Sequence, residues 1–93
     1  PARFEAASGK RLVLHAGRLS VTVPPEGVGF TVVTPEADII DFGTEFSVDV
    51  RPGASEVHVF EGHVRVQPKA RMGAPAGDPV DLKTSQAITI DDA

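Results

Sequence analysis

Apolar and polar residues alternate with a period of two through much of this chain, most regularly from Phe30 to Val66. In Thr44 to Arg51, the residues Thr44, Phe46, Val48 and Val50 alternate with Glu45, Ser47, Asp49 and Arg51, so an extended backbone sends the two sets to opposite faces. One face is core and the other is wet. The same rule separates Val57 and Val59 from Glu56 and His58, and Val64 and Val66 from Arg65 and Gln67. Glu61-Gly62 is the only short link between those two runs, which predicts a hairpin with Gly62 in a positive-φ turn.

Nine short strands are predicted: Leu12 to His15, Arg18 to Val23, Gly29 to Thr34, Asp38 to Phe42, Thr44 to Arg51, Glu56 to Phe60, His63 to Gln67, Val80 to Lys83 and Gln86 to Asp91. Val, Ile, Thr and Phe crowd these segments and Gly and Pro recur between them, so helix has little support. The expected fold is all-β, an antiparallel β-sandwich or a short solenoid-like β fold. Gly43 and Thr44 are read as a structural turn that aims Phe42 and Phe46 together into the core. Residues 67–79, rich in Pro and Gly, are expected to form a mobile surface loop.

A faint repeat is visible when Leu12, Leu14, Gly17, Leu19 and Val21 are laid over Val57, Val59, Gly62, Val64 and Val66, 45 residues on. Two ordinary hairpins would look like this, and so would two stacked half-domains.

The spacing of these residues resembles the FecR domain. The resemblance is carried by Val33, Thr34, Pro35, Ala37, Gly43, Thr44, Phe46, Val48 and Val50, then by Val57, Val59, Glu61, Gly62, Val64 and Val66. Leu82, Gln86, Ala87 and Ile90 resemble the closing strand pair less sharply, and the whole spans roughly residues 12 to 90. What it implies is the periplasmic, or otherwise extracytoplasmic, part of a single-pass bacterial regulator of a sigma factor. A signal-bearing protein would be its partner, and in the iron-uptake branch of that family this is the signalling domain of an outer-membrane transporter. The sigma factor would be reached only through a cytoplasmic segment upstream of a transmembrane helix. The family brings no catalytic residues to carry over.

Length and composition narrow the alternatives. Ninety-three residues make one domain, and 41% hydrophobic residues supply a core without staples. Cysteine is absent, which removes disulfides, thiol nucleophiles and cysteine zinc sites. A net charge of −4 argues against nucleic acid as a partner. Trp and Tyr are missing, which counts against the other candidate class, a carbohydrate-binding or structural cell-envelope module. The chain starts Pro1-Ala2-Arg3 with neither an initiator Met nor an apolar leader, as expected of a domain excised from a longer protein, and the resemblance implies a transmembrane helix upstream of it.

Candidate chemistry is sparse. Glu36, Asp38, Asp41, Glu45 and Asp49 are close in sequence, but alternation disperses them and no calcium-loop motif is present, so they read as a solvated acidic face. His58 and His63 bracket Glu61-Gly62 without a third zinc ligand. Glu45 and Asp49 stand about 13 Å apart along one strand, too far for paired-carboxylate hydrolysis. No catalytic residue, metal or cofactor is expected. The expected function is protein recognition, by the outward residues Glu45, Ser47, Asp49 and Arg51 with Glu56 and His58, on strands that offer an unpaired edge.

Overall fold

The computed structural model describes residues 3–8 (backbone only), 11–22, 29–43, 45–70 and 75–91. Nine strands are present: β1 (Arg3–Ser8), β2 (Arg11–Thr22), β3 (Thr31–Val33), β4 (Ala37–Asp41), β5 (Glu45–Arg51), β6 (Ala54–Glu61), β7 (His63–Pro68), β8 (Val80–Lys83) and β9 (Ala87–Asp91). The order across the sheet is β8-β7-β4-β3-β2-β5-β6-β9, with β1 added to β2, and every pairing is antiparallel except β2 with β3. Prediction and structure agree on an all-β, mostly antiparallel fold of about nine strands. Strand β1 escaped the sequence reading because Phe4 is its only bulky apolar residue.

Glycine builds this fold by turning corners. Residues 11–16 of β2 pair with β1 and β3, whereas residues 17–22 pair with β5, and Gly17 at the junction has φ +94°. One strand therefore serves two sheets, where two separate strands were expected. Strands β4 and β5 switch in the same way across Gly43 (φ +87°), and β6 and β7 across Gly62 (φ +108°). Glu61-Gly62 is thus no hairpin turn. Strand β6 pairs with β5 and β9, and β7 pairs with β4 and β8, so the two runs never pair with each other. The 45-residue overlay has its physical meaning here: in both copies a glycine with positive φ carries an apolar-x-apolar strand from one sheet to the other.

The corners at Gly43, Gly62 and Thr84-Ser85 lie side by side. Phe42 N donates to His63 O (3.1 Å), Gly62 N to the Thr84 hydroxyl (3.0 Å), and Ser85 N to Val59 O (2.9 Å). Ser85 has φ +70°, a left-handed conformation that costs an L-residue about 1 kcal/mol or more. Ser85→Gly is therefore expected to raise stability by about 0.5 kcal/mol after glycine's extra unfolded-state entropy is subtracted. Chemical denaturation would check this, and a loss of stability would contradict it.

Both inner faces meet in one core of Leu14, Val32, Ala37, Ile39, Phe46, Val48, Val50, Val57, Val59, Val64, Val66 and Leu82. Full burial of each such aliphatic side chain contributes on the order of 1.5–3 kcal/mol. Alternation in β4 puts Ala37, Ile39 and Asp41 inward, which leaves Ile40 and Phe42 outward. Phe42 is accordingly 39% exposed, against the expectation that it shares the core with Phe46. Asp41 is fully buried instead of belonging to an acidic surface, and its Oδ1 accepts from Gly43 N (3.0 Å), bracing the corner. Thr44 lies outside the described residues.

The Thr34-Pro35-x-Ala37 motif closes the β3–β4 hairpin. Thr34 N donates to Ala37 O (2.8 Å), and Thr34 Oγ1 accepts from Ala37 N (3.0 Å) and Glu36 N (3.3 Å). Buried Ser55, from the other sheet, reaches Thr34 Oγ1 (2.9 Å) and the Glu36 carboxylate. Parts of the 67–79 loop are also tied down: Gln67 Nε2 donates to Gly77 O (2.8 Å) and Lys69 N to Glu36 O (2.9 Å). These bonds anchor both ends of the segment expected to form a loop, whose residues 71–74 lie outside the described residues.

Candidate protein-recognition face

All six candidate residues face one side of the sheet formed by the second half of β2 with β5, β6 and β9. The register sets Ser20, Ser47, His58 and Ala87 in one row and Arg18, Asp49, Glu56 and Thr89 in the next. Thr22, Glu45 and Glu61 make a third row, and Arg51 lies opposite Ala54. Glu45, Arg51 and His58 are exposed, while Ser47, Asp49 and Glu56 are half-buried between their neighbours. Hydrophobic alternation found the β5 and β6 members of this face. It missed Arg18, Ser20, Thr22 and Thr89, because only the pairing of β2 and β9 brings them alongside.

Charge on the face is mixed. Arg18 Nη2 bridges to Asp49 Oδ2 at 3.3 Å across β2 and β5. Asp49 and Glu56 stand directly opposite each other, a like-charge pair that Arg18 partly offsets. His58 packs on Phe60 with ring centroids 4.7 Å apart, and Phe60 is 46% exposed. The four strands present a patch of about 15 Å by 20 Å from strand spacing and rise. That is about 300 Å² in plan, well short of the ~800 Å² per partner of a standard interface.

One correction concerns edges. Strand β5 is flanked by β2 and β6, and β6 by β5 and β9, so neither offers the unpaired edge expected of them. Among the described strands, β1, β8 and β9 each have a neighbour on one side only.

The opposite sheet carries a separate surface cluster. Arg65 Nε donates to Asp81 Oδ1 at 2.9 Å, and its guanidinium lies 5.7 Å from the Phe42 ring centroid. Phe42 stacks on His63 at 4.9 Å, and His63 Nε2 is 3.5 Å from Asp81 Oδ1. The hydrogen bond from Arg65 holds the Asp81 carboxyl below its ordinary range. His58 and His63 thus stand on different sheets. Among the described residues no group of three or more His, Cys, Asp or Glu could hold a metal ion.

A family profile described as FecR protein matches residues 2–65. Two crystal structures from Parabacteroides distasonis, each provisionally described as an anti-sigma factor, share the fold with a TM-score of 0.68. They are 21% and 23% identical to this chain and overlay on 94% and 95% of it, so the closing strands belong to the same architecture. The chain spans 39% and 40% of their length. No curated protein sequence matches it.

Proposed function

The chain belongs to the FecR family, and from that premise we propose that it is the extracytoplasmic, partner-reading module of a membrane-spanning regulator that passes an envelope signal to a sigma factor. The observation that carries this reading is the uncovered, mixed-charge outer face of β2, β5, β6 and β9, which gathers Glu45, Ser47, Asp49, Arg51, Glu56 and His58 into adjacent rows. Such a face selects a protein partner by charge complementarity, whereas main-chain geometry holds it flat. The module works without catalysis, by stating whether its partner is bound. The membrane-spanning and sigma-binding parts belong, in this reading, to the regulator outside these residues.

Sugar recognition has weaker support. Among the described residues, the two exposed phenylalanines, Phe42 and Phe60, lie on different sheets and form no shared aromatic platform.

In the full-length regulator, Glu45→Lys with Asp49→Lys is expected to weaken the complex with the signalling domain of its cognate transporter at least tenfold in titration calorimetry. The melting temperature should move by only a few degrees, since the Arg18–Asp49 bridge is a surface pair. Unchanged affinity removes this face from recognition.

A further inference from the structure

The two outer faces of this domain differ in charge. On the recognition face, Glu45, Asp49, Glu56 and Glu61 outnumber Arg18 and Arg51. Across the opposite sheet, the register puts Arg11, Thr31, Ile40, Arg65 and Asp81 in one row, with Lys83 beside His63 in the next. Lys69 reaches Asp38 on that surface at 3.8 Å, so among the described side chains Arg11, Arg65, Lys69 and Lys83 share it with the acids Asp38 and Asp81. Arg65 and Lys69 are paired with those acids. Among the described residues, by contrast, Arg11 and Lys83 meet no acid, and Glu45, Glu56 and Glu61 meet no base.

Each face also offers one exposed ring set against a histidine: Phe42 on His63 at 4.9 Å and Phe60 on His58 at 4.7 Å. A ring already held by its neighbour loses little freedom when a second surface covers it. Arginine beside an exposed aromatic ring, as Arg65 stands beside Phe42, is a composition typical of the residues that anchor protein contacts. Both faces are at least four strands wide, so one can overlie the other.

We propose that the basic face of one copy of this chain docks on the acidic face of a second copy, with Arg11, Arg65 and Lys83 meeting Glu45, Glu56 and Glu61 around the two phenylalanines. One chain carries both halves of this complementarity, which makes a second copy the occupant. Two different surfaces meet, so every added copy leaves one face of each kind free, and association grows into chains instead of closing at a dimer. Contact over about 300 Å² per copy is weak, with a dissociation constant on the order of 1 mM. The acidic face is the one assigned to partner recognition, so a partner and a second copy exclude each other there. The association itself does not depend on that assignment.

The test is sedimentation equilibrium of this chain from about 0.05 to 2 mM, read beside concentration-dependent amide shifts. A mass that rises above the 9.8 kDa of one copy is expected, with shifts at Arg65 and Lys83 and at Glu45 and Glu56 together. Glu45→Lys with Glu56→Lys should weaken association at least tenfold. Each of those changes adds two positive charges, so the pair brings the formal net charge from −4 to 0 and removes the general repulsion between copies. A loss of association there is therefore specific to the face. Arg65→Glu with Lys83→Glu should weaken association as much, and an equimolar mixture of the two double variants should recover it, because each keeps the face that the other has lost. A mass fixed at one copy up to about 2 mM overturns the proposal. So do shifts on one face only, association that survives both double variants, or a mixture that fails to recover it.

Discussion

Phe46→Ala is expected to remove about 3–5 kcal/mol of stability, the usual cost of emptying a buried aromatic site. Phe46 is fully buried, and its backbone pairs with Val21 on one side and Val59 on the other. Among the described residues it is the only aromatic member of the buried core cluster. A domain of this size has roughly 5–14 kcal/mol in total, so the variant would sit close to unfolding at ordinary temperature. Phe60→Ala, at a site 46% exposed, is the control and should cost no more than about 1 kcal/mol. Guanidinium denaturation separates the two; near-equal losses would mean that Phe46 does not organise the core.

Gly43→Val carries the second large effect. Gly43 stands at φ +87°, where a β-branched residue clashes with its own backbone, and the expected loss is about 2–3 kcal/mol. For a chain this short that corresponds to roughly 10–20 °C in Tm. The corner is also braced from outside, by Asp41 Oδ1 on Gly43 N and by His63 O on Phe42 N, so the backbone cannot relax into an ordinary bend without breaking both. A Tm unmoved by the substitution would contradict the corner mechanism.

Alternation made the inward residues readable, because each side chain of β5, β6 and β7 has only two directions to take. Phe46, Val48, Val57, Val59, Val64 and Val66 are all buried as that rule demands. Connectivity was less readable. Glu61-Gly62 carries the same residues whether the chain reverses into a hairpin or crosses to the other sheet, and only the partners of β6 and β7 decide between them. Asp41 misled for a different reason. A carboxylate reads as solvated by default, yet parity with Ile39 sends it inward, where an amide two residues on supplies its hydrogen bond. The candidate face was half visible: β5 and β6 are neighbours in sequence, whereas Arg18 and Thr89 join them through pairings that no local pattern encodes.

These points give the resemblance to the FecR family a physical content. Gly43 and Gly62 are conformational requirements of corners, and Thr34 and Ala37 close a hairpin whose hydroxyl is bonded to the opposite sheet. The residues that mark the family build the scaffold. Those that would choose a partner lie between them, on the outward positions.

Hydrogen exchange of the longer protein that carries this chain, with and without the partner proposed for it, the signalling domain of an outer-membrane transporter, tests the central claim most directly. Protection of the amides of residues 45–51, 54–61 and 87–91 on complex formation is the predicted result. Protection confined to the opposite sheet, around Phe42, Arg65 and Asp81, or absent from this chain altogether, would contradict it.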